Sequence, residues 1–306
     1  MTDTLVFLNG SFLPRREASV DVLDRGTLFG DGVYEVIRYV NGRGFAMDRH
    51  LARLERSLKG VALPLPMMLA DLEAACDDLV ARRGLSEAKL YLQITRGPAA
   101  RNHVMPDRPE PSVLLVADEA GPIPVADRPP PSVSARTTED NRWGDCWIKS
   151  LMLLPNSLAK TQAKADGFDD AIFVRPIHPA LEPGTTPDLA GGTVTESTVA
   201  NVMIVTGGVI RTHPADRRIL PGVTRAVLIE LAGEARLAVE QTPFTLAELL
   251  AADEVIICGT TSFVSAATRI DDTTVADGKP GPVTTHLHEL LLRRIAETCG
   301  VGPERG

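Results

Sequence analysis

Cysteine is scarce in this chain of 306 residues, and its cysteines are far apart in the sequence. No CxxC pair occurs among them; they are Cys76, Cys146, Cys258 and Cys299. This spacing excludes a zinc-binding or disulfide framework of the kind that can be read from sequence, and it is typical of a reducing compartment. We therefore expect a cytoplasmic protein without a metal site, whose thiols are small core residues.

The chain also lacks long apolar runs and an excess of positive charge. No stretch of about 18 apolar residues is present, and no basic segment followed by an apolar run begins the chain. We therefore expect neither a membrane span nor a signal peptide. The net charge is −8 and the pI is about 5.3, which argues against nucleic acid or an anionic membrane as partner. A local basic pocket for an anionic small molecule remains compatible with this charge.

A dinucleotide-binding motif is absent too. Strands and helices do not alternate strictly, and no GxGxxG follows a strand to open a helix, so a doubly wound sheet is not expected. The stretch GPIPVADRPPPS (121–132) has five prolines in twelve residues and is typical of a stiff linker. We predict a mixed α+β chain with domains at 1–120 and 133–306.

Hydrophobic periodicity and turn residues predict the elements of both domains. The first domain is expected to contain hairpins at 5–14 and 32–47, helices at 48–61 and 68–84, and strands at 89–97 and 112–118. Asp48 is the expected cap of the first helix. In the second domain we expect a hairpin at 200–212, helices at 155–167, 222–237 and 283–298, and strands at 170–175 and 254–259. The Pro- and Gly-rich stretch 176–192 is expected to be a surface loop.

Lysine is rare, with six lysines among 32 basic residues, and one lysine has an unusual setting. Lys149 lies in DCWIKSLMLL (145–154), where its neighbours are mostly apolar. A buried ammonium without a partner is costly, so the amine either reaches solvent or lowers its pKa. A lysine with a lowered pKa is a nucleophile that forms Schiff bases with carbonyls. A lysine at the polar edge of a strand or loop is the alternative.

Further features suit the binding of anions, although each also has a purely structural interpretation. The helix predicted at 222–237 begins with Gly-Val-Thr, whose free N–H groups suit a phosphate or an ordinary cap. Arg101 and His103 follow a strand and could clamp a carboxylate, or be solvated loop charges. Glu196 could pair with a protonated ring nitrogen or face solvent. Arg53 could reach a phosphate or solvent.

Together these motifs resemble the fold-type IV pyridoxal-phosphate enzymes, and most closely the bacterial D-amino acid aminotransferases. The resemblance covers nearly the whole chain. Its segments are DRGTLFGDGVYEVIRYVNG (24–42), HLARL (50–54), YLQITRGPAARNH (91–103), RWGDCWIKSLMLL (142–154), VTESTVAN (194–201), THPADRRILPGVTR (212–225) and GTTS (259–262). It implies two α/β domains with the cofactor, pyridoxal 5'-phosphate, between them.

The resemblance also implies roles for individual residues. Lys149 matches the catalytic lysine that binds the cofactor covalently, and Glu196 matches the residue that pairs with the pyridine nitrogen. The expected cofactor-binding residues are Arg53, Glu196, Leu220, Val223, Thr224 and Thr260. The expected substrate-binding residues are Tyr34, Arg101, His103 and Thr261. Arg101 and His103 would reach in from a partner subunit, so a homodimer is implied.

The implied reaction transfers the amino group of a D-amino acid, such as D-alanine, to 2-oxoglutarate or pyruvate. The pair Arg101 and His103 separates this reaction from those of related branched-chain L-aminotransferases, (R)-amine transaminases and aminodeoxychorismate lyases. Those three activities remain alternatives, as does a non-catalytic protein that binds a small ligand. The chain departs from the family pattern in the longer loop 176–192 and at Met152, Ser197 and Gly259. Ser197 and Gly259 leave the preferred side chain open.

Overall fold

The computed structural model describes residues 4–179, 182, 185 and 187–301. Its chain divides into two compact units. The first contains the described parts of Met1–Ile123, Ile148–Met152 and Arg294–Gly306, and the second contains those of Pro124–Trp147 and Leu153–Arg293. Residues 148–152, which the sequence analysis assigned to the second domain, group with the first unit. The first change of unit falls inside the Pro-rich stretch 121–132.

The first unit is built on a six-stranded sheet. In chain order its elements are β1 (Leu5–Leu8), β2 (Ser11–Pro14), α1 (Arg25–Phe29), β3 (Gly32–Val40), β4 (Arg43–Gly44), α2 (Met47–Gly60), α3 (Leu69–Arg82), β5 (Ala88–Thr95) and β6 (Ser112–Glu119), with a 3₁₀ turn at Arg15–Glu17. The strand order is β2-β1-β6-β5-β3-β4. All neighbouring strands are antiparallel.

Two Asn-Gly turns set the register of this sheet. Asn9 and Gly10 join β1 to β2, and Asn41 and Gly42 join β3 to β4; all four residues have positive φ. Tight hairpin turns require this backbone conformation, which asparagine and glycine tolerate best. The two predicted hairpins are confirmed. The second arm at 43–47 is shorter than expected, because β4 ends at Gly44 and α2 begins at Met47.

The predicted helix at 48–61 is confirmed as α2, but its predicted cap at Asp48 is wrong. The N-cap is Ala46, which has a φ of 52° and makes no side-chain cap bond. Asp48 lies in the first turn instead, where its charge favours the helix dipole. The apolar face expected from the spacing is buried, namely Leu51, Leu54 and Leu58.

A nine-stranded sheet forms the centre of the second unit. In chain order its elements are β7 (Ser132–Glu139), α4 (Leu154–Ala165), β8 (Asp170–Arg175), β9 (Thr193–Ser197), β10 (Asn201–Thr206), β11 (Val209–Thr212), α5 (Val223–Glu234), β12 (Val239–Glu240), α6 (Leu246–Leu250), β13 (Glu254–Gly259), β14 (Phe263–Ile270), β15 (Thr273–Thr274) and α7 (Pro282–Cys299), whose last turns group with the first unit. The described residues of the 176–192 stretch form no helix or strand, and residues 180, 181, 183, 184 and 186 lie outside the described residues.

The large sheet closes partly on itself. Its order is β12-β11-β10-β13-β14-β7-β8-β9, β15 pairs with β14, and β9 pairs again with β10. Six strands, from β10 through β9, therefore form a ring around apolar side chains that include Ile172, Val202 and Ile257. The residues that close the ring are Glu196 on β9 and Asn201 on β10, which lie opposite each other. This closure places a carboxylate at the end of the β9–β10 pair.

The start of α7 is tied to β13 by one buried carboxylate. The backbone N–H groups of Val283 and Thr284 donate to Glu254 at 3.0 and 2.7 Å, and the Thr284 hydroxyl donates to it at 2.6 Å. We expect Glu254→Gln to lower the free energy of unfolding by about 1–3 kcal/mol, because the variant loses an acceptor and a charge at a helix N-terminus.

Urea denaturation measures this effect. Glu297→Gln, the same change at an exposed position of α7, is the matched control and should stay within about 0.5 kcal/mol of the parent protein. Equal stability of both variants would show that Glu254 does not hold the helix.

Candidate active site

Lys149 lies on a short segment that runs beside the start of β3. The backbone N–H of Tyr34 donates to the Lys149 carbonyl at 2.9 Å, and the Lys149 N–H donates to the Ser57 hydroxyl at 3.2 Å. Ser150 forms an isolated bridge with Val33. The half-buried Lys149 side chain places its Nζ 4.3 Å from the centroid of the Tyr34 ring. Main-chain pairing therefore brings the expected catalytic lysine and one expected substrate-binding residue together.

The apolar run around Lys149 is not a buried strand. Ile148 and Ser150 are buried, but Met152, Leu153 and Leu154 are 40%, 36% and 70% exposed. The chain leaves β3 here and begins α4 at Leu154. The apolar residues after Lys149 therefore lie largely at the surface of the chain. The Lys149 amine contacts the aromatic ring of Tyr34.

A buried ion cluster lies next to this segment. Glu35 follows Tyr34 on β3 and is fully buried; its carboxylate accepts from Arg53 Nε and Nη2 at 2.8 and 2.7 Å. His50 Nδ1 lies 2.8 Å from the same carboxylate. Arg53 and His50 both come from α2, three residues apart, and so share a helix face. These two hydrogen bonds to Glu35 therefore fix the orientation of Arg53, the expected phosphate ligand.

The electrostatics of the cluster follow from burial and pairing. Burial alone would raise the pKa of Glu35, but the charge and hydrogen bonds of Arg53, together with His50, lower it to about 2. Burial lowers the pKa of His50, with Glu35 opposing and the charges of Arg53 and Lys149 adding to the lowering. Glu35 is therefore an anion, and the Lys149 amine contributes to the lowered pKa of His50.

Replacing Glu35 with Gln tests this cluster. Breaking one partner of a buried ion pair costs about 3–5 kcal/mol of unfolding free energy, so we expect a loss of that order at pH 7. The pKa of Glu35 is lowered in the folded state, so its contribution is complete above the ordinary value of 4.5 and is lost as the pH falls from 4.5 towards 2. The difference between parent and variant should shrink over that range.

Urea titrations from pH 7 down to pH 3 would measure this difference. The control is Glu55→Gln, which makes the same change on α2 at a partly exposed pair with Lys59 and should cost less than about 1 kcal/mol. A pH-independent loss for Glu35→Gln would contradict the assigned ion pair.

In the second unit, three donors hold the Glu196 carboxylate. The backbone N–H of Leu220 and the Asn201 side-chain amide donate to its Oε2, both at 3.0 Å. The Arg142 guanidinium donates to Oε1. Glu196 is buried, and every one of these partners is a donor, which suits an anionic carboxylate. Burial raises the pKa of Glu196, while Arg142 and the Leu220 N–H oppose that rise.

Arg142 is itself held by a second carboxylate. Its Nε and Nη2 donate to Asp140 at 2.9 and 3.0 Å, and Asp140 also accepts from the Thr195 hydroxyl at 2.8 Å. The guanidinium carbon of Arg142 lies 4.5 Å from the centroid of the Phe173 ring. Sequence reasoning gave Arg142, Asp140 and Asn201 no role. The only available signal was that Arg142 and Asn201 lie inside the motifs that carry Lys149 and Glu196.

The N-terminus of α5 adjoins Glu196 through the chain from Leu220 to Gly222. Gly222 is the N-cap, and no side chain caps the helix. A Cβ at Gly222 would collide with the side-chain oxygen of Asn201, so a side chain there would disturb the amide that holds Glu196. Val223 and Thr224 are buried in the first turn, which carries no acidic residue. These features suit an anion at this end of α5.

The other expected residues of the second unit lie in the turn after β13. Thr260 is half-buried and Thr261 is exposed. A Cβ added to Gly259 would lie 3.2 Å from Ala200 Cβ, so this turn packs beside the β9–β10 connection. The structure thereby groups Thr260 and Thr261 with the strand ends that carry Glu196 and Asn201.

Arg101 and His103 lie in the loop between β5 and β6 of the first unit, and both are exposed. The Arg101 guanidinium carbon lies 5.5 Å from the centroid of the Phe29 ring, and the His103 ring centroid lies 5.7 Å from it. Among the described residues, no hydrogen bond or ring contact links either side chain to Tyr34. Within one chain, the three expected carboxylate-binding residues are therefore not one cluster.

Metal-binding clusters and membrane-spanning helices are both absent from the described residues. No group of three or more His, Cys, Asp or Glu side chains there could hold a metal ion. In that part of the chain, no helix is long and apolar enough to cross a membrane.

Comparison with known proteins identifies the family. The protein-family model described as "Amino-transferase class IV" matches residues 32–270, most of the chain. The chain belongs to the class IV aminotransferases. This family uses pyridoxal phosphate, so the expected family and cofactor are confirmed.

Curated relatives match over nearly the full length. The chain is 42% identical to the D-alanine aminotransferase of Listeria innocua over 298 residues, covering 96% of this chain and 97% of the relative. It is 38% identical to the D-alanine aminotransferase of Bacillus licheniformis, with 95% and 96% covered. These identities are well above those to the solved structures described next.

Solved structures support the fold. The branched-chain aminotransferase of the thermophilic archaeon Thermoproteus uzoniensis, solved with norvaline, is 27% identical, with a TM-score of 0.81 over 97% of this chain and 96% of that one. The branched-chain amino acid aminotransferase of Escherichia coli is 23% identical, with a TM-score of 0.80 over 100% and 98%. The expected mixed α/β fold of type IV is confirmed.

Proposed function

We propose that this protein transfers the amino group of a D-amino acid, such as D-alanine, to a 2-keto acid, either 2-oxoglutarate or pyruvate. The observation that carries the proposal is the Lys149 amine beside the Tyr34 ring. The same unit presents Arg101 and His103, whose cationic and donor groups suit a carboxylate. The identity to curated D-alanine aminotransferases supports the D-amino acid as donor substrate.

The residues present fit pyridoxal phosphate. Arg53 and the first-turn N–H groups of Val223 and Thr224 suit its phosphate, with the Thr224 hydroxyl and Thr260 as further donors. Glu196 is a buried carboxylate suited to a protonated pyridine nitrogen, and the Leu220 N–H that donates to it precedes α5. When bound, the cofactor supplies an aldehyde that accepts amines and a ring that withdraws electrons from the substrate α-carbon.

The residues of the chain supply attachment, charge and proton transfer. The Lys149 Nζ is the amine that would hold the cofactor, and the same amine would act as the base for the proton on the substrate α-carbon. Tyr34, next to it, limits where that amine moves. Glu196 would pair with the ring nitrogen, because Arg142 and Asn201 hold its carboxylate in place. Arg142 thereby acts through Glu196 as a positioning residue.

Lys149→Ala should lower D-alanine transamination by roughly 10³-fold or more, because both attachment and proton transfer depend on its amine. Coupled detection of the keto acid product measures the rate. Lys164→Ala, which removes an exposed lysine paired with Asp169, is the control and should retain the parent rate. Near-parent turnover of Lys149→Ala would refute the assigned catalytic residue.

We further propose that the working form is a homodimer in which Arg101 and His103 serve the partner's site. In a single chain both side chains are exposed, and Val104 and Met105, which follow them, are 73% and 47% exposed. The loop adjoins Leu23, because the Ala99 N–H donates to its carbonyl at 3.4 Å, so the apolar surface continues onto a second segment. Such a surface favours contact with another chain.

Mixing two defective variants tests this shared site. If Arg101 acts across the interface, a heterodimer of Lys149→Ala and Arg101→Ala has one site with both residues intact. Subunit exchange should then restore about a quarter of the parent rate, since about half of the dimers are mixed and each has one working site. The rate is measured at low D-alanine, where Arg101→Ala alone should be weak because it loses a charge-assisted contact. No recovery after verified exchange would place Arg101 in the site of its own chain.

We also propose a cytoplasmic location. The four cysteines are free and buried, as expected for thiols in a reducing compartment.

A further inference from the structure

The loop that carries Arg101 and His103 needs support from elsewhere. It runs from the end of β5 at Thr95 to the start of β6 at Ser112, and its described residues form no helix or strand. Holding two exposed, flexible side chains in one geometry costs conformational entropy. A loop that binds a carboxylate through both would bind weakly unless other residues restrict its motion before the ligand arrives.

One aromatic ring contacts both side chains of the pair. Phe29, the last residue of α1, has Arg101 and His103 at 5.5 and 5.7 Å from its ring centroid. The guanidinium carbon of Arg25 lies 4.6 Å from the same centroid. Both arginines are within the range of cation–π attraction, and the His103 ring is within the range of an aromatic pair. Phe29 is therefore a common platform for the pair.

Arg25 holds the peptide between the two side chains. Its Nη1 donates to the carbonyl of Asn102 at 2.6 Å, and its Nε donates to Asp31 at 2.7 Å. Asp31 also accepts from Arg96 Nε, at 3.0 and 2.8 Å. Arg25 is 3% exposed and Arg96 is 2% exposed, so the loop carbonyl is linked to a buried ion network.

The backbone of α1 fixes the start of the loop as well. The Arg25 N–H donates to the Gly97 carbonyl at 3.0 Å, and Asp24 forms a bridge with Pro98. Gly97 has a φ of 79°, and a Cβ there would collide with the carbonyl of Glu110. The two ends of the loop therefore pass so closely that glycine is required. The loop is held by α1 at its first residues and again at Asn102.

We infer that Arg25 and Phe29 are positioning residues that set the affinity for the substrate carboxylate by holding Arg101 and His103 in place. This inference rests on the proposed function, in which that pair binds the carboxylate. Neither residue has to touch the substrate. Loss of the platform should weaken binding of any ligand that presents a carboxylate, while proton transfer at Lys149 is left largely intact.

The first test is Phe29→Leu in the cofactor-loaded enzyme. The cation–π and aromatic contacts are lost, so the KM for D-alanine should rise about three- to tenfold, which corresponds to about 0.7–1.4 kcal/mol, while kcat stays within about twofold. The inhibition constant of propionate, a carboxylate without an amine, should rise by the same factor. The matched control is Phe12→Leu. Phe12 belongs to β2, not to α1 or the loop, and Arg82 lies 4.5 Å from its ring centroid; the constants of this variant should not change.

A second variant distinguishes a loss of loop positioning from a folding defect caused by Phe29→Leu. Arg25→Lys keeps a charge beside Asp31 but cannot reach both Asp31 and the Asn102 carbonyl with one planar fork. It should raise the same two constants. Hydrogen exchange of residues 98–105 should be faster in both variants than in the parent and in Phe12→Leu, whatever substrate the enzyme uses.

The outcomes separate the two proposals. If Arg101→Ala raises the propionate constant but Phe29→Leu and Arg25→Lys do not, the positioning role is wrong. Unchanged exchange of residues 98–105 in both variants would also overturn it. If Arg101→Ala itself leaves propionate binding unchanged, the carboxylate role of the pair fails, and with it the proposed function on which the inference rests.

Discussion

The carboxylate of Glu35 lies fully inside the first unit, and a charge there is stable only because Arg53 and His50 surround it. This pairing fixes α2 against β3, and β3 in turn pairs with the segment that carries Lys149, the proposed catalytic lysine. The second unit meets the same constraint with Glu196 and Arg142, at the point where its ring of strands closes. In both units, a group suited to the cofactor is held by a buried ion of opposite charge.

Much of the fold follows from local patterns in the sequence. Asn-Gly turns and leucine spacing predicted the hairpins and α2, and the strands at 170–175 and 254–259 lie where expected. Local patterns did not predict β7, whose residues Ser132–Glu139 follow three prolines and are mostly polar, or α1, which has only five residues. β7 exists because β8 and β14 pair with it on either side. Such pairing is invisible to a local pattern.

Some residues of the candidate site could likewise be predicted from the sequence, and others could not. Lys149 stood out because a lysine among apolar residues is unusual, and the remaining expected residues came from family motifs. Arg142 and Arg25 also lie inside these motifs, but nothing in their local sequence indicates a role. Arg142 and Arg25 resemble surface arginines in sequence, yet they are buried against Asp140 and Asp31. These ion pairs depend on carboxylates brought near by folding, so the sequence alone does not predict them, and the proposed roles of the two arginines rest on them.

The absorbance spectrum of the cofactor-loaded protein, recorded with D-alanine, L-leucine and an (R)-amine in separate cuvettes, tests the D-amino acid assignment. We expect that D-alanine alone removes the yellow band of the bound cofactor, because the enzyme then carries the amino group. Loss of the band with L-leucine or the amine, and not with D-alanine, would contradict the D-amino acid assignment. A protein that stays colourless after addition of pyridoxal phosphate would contradict the assigned cofactor site as well.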